Sequence, residues 1–167
     1  MSKSERMAKS AAVGTLMVLA ATGCGGAMNN GNVSPDSVEK KAHTLTQQAL
    51  DALTPVIGSA DTSVEHQGWK QCSTETPGNH RFEYTYILKL DVLVQDPEAA
   101  LAAAKAHFAK EGYLPGPPQT DRVSASEAHS TWGVAVGVDD DKKSMFISVD
   151  SDCVFTTHDP PKTGSSS

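Results

Sequence analysis

The sequence predicts an α+β domain, with two helices packed on one face of a roughly four-stranded antiparallel sheet in the order α-β-β-α-β-β. Three observations predict it. Two stretches repeat apolar residues at three- and four-residue steps between capping signals, and residues 81–90 alternate apolar and polar side chains at period two. Late in the chain, two further alternating segments flank an acidic turn.

The first helix is expected from Ser34 as N-cap and Pro35 at the first helical position, with Asp36 and Glu39 near the positive end of its dipole. Val38, Ala42, Leu45, Ala49 and Leu53 form its apolar stripe, and Pro55 marks its end near Thr54. After a loop over 58–65, a short strand is expected over Trp69–Ser73, and Pro77-Gly78-Asn79 supplies turn chemistry. Phe82, Tyr84, Tyr86, Leu88 and Leu90 then share one face of the clearest strand in the chain. The second helix opens on Asp96-Pro97-Glu98 and carries Leu101, Ala104 and Phe108. Gly112 suits the left-handed residue past its end, which lets Tyr113 pack back on Phe108.

Residues 115–118 read as a rigid proline loop. The last two strands read as a hairpin over 131–138 and 144–154. Trp132, Val134, Val136 and Val138 face one way, and Gly133, Ala135 and Gly137 leave room for close approach on the other. The domain so defined runs over 34–158, with a polar, disordered tail over 159–167.

Ahead of it lie Lys3, Arg6 and Lys9, then an apolar run from Ala11 to Ala21. That run is well short of the roughly 20 residues a membrane-spanning helix needs, so residues 1–23 read as a signal peptide. Ala21-Thr22-Gly23-Cys24 resembles the lipobox of bacterial lipoproteins, with Ala21 where that family usually carries leucine; Ala21-Thr22-Gly23 also fits the small-x-small site of an ordinary signal peptidase. The overall plan of leader, polar spacer and one small domain with two cysteines is similar to small lipoproteins of actinobacterial type. That resemblance implies a diacylglyceryl anchor on Cys24, two buried acyl chains for stable attachment, and a place on the extracytoplasmic face of the cell membrane. Residues 24–33 are then a flexible tether.

Cysteine arithmetic bears on the same point. With Cys24 lipidated, Cys72 and Cys153 remain as an even pair, suited to a disulfide between distant parts of the chain; two free or metal-bound thiols are the alternative. Loss of the leader leaves 11 Lys and Arg against 19 Asp and Glu, a balance of −8. Such a surface is a poor partner for nucleic acid.

No cofactor or metal is expected. Asp139-Asp140-Asp141 lacks the glycine and final glutamate of a calcium loop, and Asp150 and Asp152 suit a solvated strand edge. His43, His66, His80, His107, His129 and His158 are scattered, with no compact ligand spacing, and no nucleotide or hydrolase motif is present. Trp69 and Trp132 are the candidate binding surface. The expected function is therefore a non-catalytic binding or accessory module of the cell envelope, anchored by lipid. The alternative is an envelope hydrolase built from scattered residues such as Ser126, His129 and Asp150.

Overall fold

Alternation along the strands decides which face of the sheet the helices cover. In the computed structural model, which describes residues 33–72, 81–140, 143–157 and 159–160, Tyr84, Tyr86 and Leu90 lie buried on one face of β2 (Arg81–Asp91). Met145, Ile147 and Val149 do the same on β6 (Ser144–Asp150), and Val134, Val136 and Val138 on β5 (Gly133–Val138). Helices α1 (Pro35–Ile57) and α2 (Pro97–Lys110) cover that face with Val38, Ala42, Ala49, Leu53, Leu101, Ala104 and Phe108. Each fully buried leucine there removes a side chain worth about 2 kcal/mol from water. Among the described residues, no helix lies over the opposite face.

The chain is thus α+β with two helices and an antiparallel sheet, and among the described residues the sheet has seven strands rather than four. Its order is β1-β2-β6-β5-β4-β3, with β1 at Asp61–Gln71, β3 at Leu114–Pro115, β4 at Arg122–Ser126, and β7 (Val154–Phe155) also on β2. The expected α-β-β-α-β-β order therefore becomes α-β-β-α followed by five strands.

Each difference has a physical reason. β1 starts eight residues before Trp69 because Asp61–Gln67 are exposed on both faces: its backbone pairs with β2, yet no burial imposes an apolar period. β4 holds only two apolar residues, Val123 and Ala125, and β3 spans part of the expected proline loop. β7 continues the line of β6 along β2 after a bulge, where Ser151–Cys153 oppose Glu83–Tyr84. There the Ser151 N–H donates to the Tyr84 carbonyl at 2.9 Å, and the Tyr84 N–H to Ser151 Oγ at 2.7 Å.

The helix ends are partly as expected. Asp96 caps α2 by accepting from the Ala99 N–H at 2.9 Å. Gly112 has φ 80°, and the Tyr113 N–H reaches the Phe108 carbonyl at 2.9 Å, with the two rings 6.1 Å apart. α1 begins at Pro35, but the Ser34 side chain makes no capping bond. It also runs through Pro55 to Ile57, since a proline in the last turn sacrifices little of the ladder; the Gly58 N–H closes the end on the Thr54 carbonyl at 2.9 Å.

Val33 is held beside β7: its N–H donates to the Phe155 carbonyl at 2.7 Å, and its carbonyl accepts from the Thr157 N–H at 3.0 Å. The leader, most of the tether, Cys24, His80, Asp141, His158 and the tail beyond Pro160 lie outside the described residues. Among the described residues, no helix is long and apolar enough to cross a membrane.

Candidate functional site

Helical and strand periods meet at one place on the surface. Glu39 and His43 are four residues apart on α1, and Tyr84 and Tyr86 two apart on β2, so each pair lines one face of its element. The two faces abut. His43 packs on Tyr86 with ring centroids 4.4 Å apart, and Trp69, opposite Tyr84 in the β1–β2 ladder, packs on it at 5.1 Å. The Trp69 indole N–H donates to Glu39 Oε1 at 2.8 Å.

Burial, then the Glu39 carboxylate, then Tyr86, push the Tyr84 phenol up to about 12; burial also raises Tyr86. Both phenols stay neutral in any physiological medium. Trp69 is half-buried and His43 exposed, so these two rings form the accessible part of the cluster. Beside them an open groove of about 580 Å³ follows α1, lined by Asp36, Glu39, Lys40, His43, Thr44 and Gln47.

Trp132 is only 6% exposed, so it belongs to the core and not to a binding surface. Lys41 Nζ lies 4.3 Å from its ring and 2.7 Å from Glu127 Oε1, tying α1 to the turn between β4 and β5. Within that turn Ser130 Oγ donates to Glu127 and accepts from the Trp132 N–H, and the Glu127 N–H donates to the Trp132 carbonyl.

The hydrolase candidates are spread apart. Ser126 and Asp150 each pair with Gly133, one strand away on either side of it, and so stand two strands from each other. Asp150 accepts from Thr85 Oγ1 at 2.7 Å and from Ser148 Oγ at 3.4 Å. His129 sits exposed in the turn with φ 66°, and among the described residues no hydrogen bond joins it to Ser126 or Asp150. The other acids hold local structure: Asp152 accepts from the Thr131 N–H and hydroxyl, and Asp139 from Ser144 Oγ.

Cys72 and Cys153 stand as a disulfide with Cα atoms 6.2 Å apart, joining the end of β1 to the bulge between β6 and β7. Glu83 lies close enough to complete a three-donor group with them, but a bonded sulfur pair has no thiolate to give a metal.

On the bare sheet face the Phe146 ring lies across Gly137, where a Cβ would sit 2.2 Å from Phe146 Cζ, and the Arg122 guanidinium stacks on that ring at 4.8 Å. Sequence reasoning singled out Trp69 but missed Glu39, His43, Tyr84 and Tyr86 as its company. The signal was present in the i, i+4 and i, i+2 spacings; what sequence does not carry is which helix face meets which strand.

Fold and site together define a class: a small disulfide-stapled, two-layer α+β domain with a shallow, polar surface groove along α1 beside an aromatic cluster. No family model, curated protein or solved structure matches the chain.

Proposed function

We propose that this chain is an extracytoplasmic lipoprotein, anchored to the membrane through Cys24, whose domain is a non-catalytic binding or accessory module of the cell envelope. The observation that carries the binding reading is the fixed pair of accessible rings, half-buried Trp69 and exposed His43, beside the α1 groove. Each ring is held in place before any ligand arrives, Trp69 by Glu39 and Tyr84, His43 by Tyr86. Little side-chain freedom is then lost on binding. Asp36, Glu39, Thr44 and Gln47 add hydrogen-bonding groups around these apolar surfaces, which suits a polar ligand with one apolar face.

The anchoring reading draws on the lipobox-like sequence and on the way Val33 is held. Only the eight residues Gly25–Asn32 separate Cys24 from Val33, so an anchor on Cys24 keeps the β7 end of the domain toward the membrane. Asp91 and Asp139, at the other ends of their strands, then point away from anionic headgroups.

Two measurements test this. Replacing Cys24→Ser moves the protein from the membrane fraction into the medium; continued membrane association rules out the lipid anchor. A photo-crosslinking side chain at Gln47 gives an adduct in the producing cell that Trp69→Ala abolishes and that the same group at Glu98, on α2, does not give. Equal labelling from both positions rules out the groove as a binding site.

A further inference from the structure

The two edges of the sheet are unlike. One ends in β3, two residues long and containing Pro115, a short edge that offers little to a new strand. The other is β1, eleven residues without proline, whose outer backbone edge is paired by no strand among the described residues. Asp61 to Gln67 are all exposed, and Val64, in the middle, is 50% exposed. Bulges and charges on an edge strand ordinarily discourage pairing. Here both have a phase that favours it.

The bulge between Val64 and His66 shifts the register by one residue. As a result Asp61, Ser63, Gly68 and Lys70 stand opposite Asp91, Lys89, Thr85 and Glu83, all on the bare face, whereas Thr62, Val64, Gln67 and Trp69 stand opposite Leu90, Leu88, Tyr86 and Tyr84, all on the helix face. Two copies of β1 laid antiparallel about an axis between Glu65 and His66 therefore match face to face. Asp61 meets Lys70 of the second copy, Thr62 meets Trp69, Ser63 meets Gly68 and Val64 meets Gln67. The central Glu65 meets His66. In a strand without the bulge, this alignment would set bare-face residues against helix-face residues. A slip of two residues one way puts Gly68 in place of Lys70 opposite Asp61; the other way it puts Ser63 opposite Lys70 and sets His66, on the bare face, against Gln67, on the helix face.

We propose that β1 is a self-recognition seam, through which two copies of this chain join their sheets edge to edge about a two-fold axis. The interface is isologous, so the Asp61–Lys70 attraction occurs twice. Backbone hydrogen bonds supply the affinity and these charges set the register. Lys70 also lies 3.4 Å from Glu83 of its own chain and is largely exposed, so in the dimer it is shared between two carboxylates. A seam this narrow is small by interface standards and gives a concentration-dependent dimer.

Sedimentation of the full chain, in a Cys24→Ser background and mild detergent, tests the seam. Dimer forms as concentration rises, and Asp61→Lys weakens it by about tenfold, because two attractions become two repulsions. Lys70→Asp alone also weakens it. An equimolar mixture of the two variants restores it, since both cross-pairs are again opposite in charge, and this restoration shows that the variants are folded. Under mild oxidation, a Val64→Cys chain mixed with a Gln67→Cys chain becomes crosslinked, and Thr62→Cys mixed with Gln67→Cys does not. A chain that stays monomeric throughout, a dimer indifferent to Asp61→Lys, failure of the mixture to recover, or equal crosslinking in both cysteine pairs each overturns the proposal.

Discussion

Glu39 acts on two aromatic side chains at once: it accepts the Trp69 indole N–H and raises the Tyr84 phenol. Folding keeps the Tyr84 proton where the unfolded chain, with its ordinary value of 10.0, has already lost it. The contribution of Tyr84 to stability is therefore fully present below pH 10 and is lost as pH rises through about 12; Tyr113, pushed up to about 12 by burial, Glu127 and Glu111, adds in the same direction. Absorbance of tyrosinate near 295 nm should accordingly appear together with unfolding. In Glu39→Gln, which can still accept from Trp69, Tyr84 should ionise at lower pH. Lys41 bridges Glu127 and the Trp132 ring, so Lys41→Met should lower stability by about 1 kcal/mol, or about 4 °C in the thermal midpoint. Trp132 also shows where residue-level reading stops. A tryptophan at the start of a strand fits a surface anchor or a core residue, and the difference rests on distant neighbours such as Lys41, ninety-one positions earlier in the chain.

Among the elements, the two helix starts look alike in sequence, each a capping residue followed by proline, yet only one side chain caps. Asp96→Ala should therefore cost about 1 kcal/mol in urea denaturation, and Ser34→Ala should change stability by less than about half of that. On the bare sheet face, Gly137→Ala drives a methyl into the Phe146 ring and should lift it from Arg122, seen as altered aromatic proton shifts with the fold intact. Both helices, β2 and the β5–β6 hairpin were legible because burial on one side imposes a period on their residues. β1 was legible only from Trp69 onward and β7 only as the end of the expected 144–154 strand, and β3 and β4 were not. These strands are short or exposed, and their backbone partners, rather than their side chains, define them. The candidate groove was hidden for a related reason: its lining lies on the polar side of α1, away from the apolar stripe that the sequence makes visible.

At the scale of the whole molecule, the disulfide holds the end of β1 to the bulge between β6 and β7 across a separation of 81 residues. Replacing both Cys72 and Cys153 with serine should reduce unfolding free energy by about 4 kcal/mol, as measured by the shift in urea midpoint. The hydrogen bonds that hold Val33 between Phe155 and Thr157 carry a different consequence. They bring the two ends of the described domain side by side, so the backbone comes close to forming a closed ring, and its point of opening becomes a matter of genetic history more than of folding. A permuted gene that joins residue 157 to residue 33 through about six Gly/Ser residues, and begins at Ser59 in the exposed loop after α1, should encode the same sheet. Matching circular dichroism and an intact Cys72–Cys153 bond would show that the old termini were interchangeable with a turn.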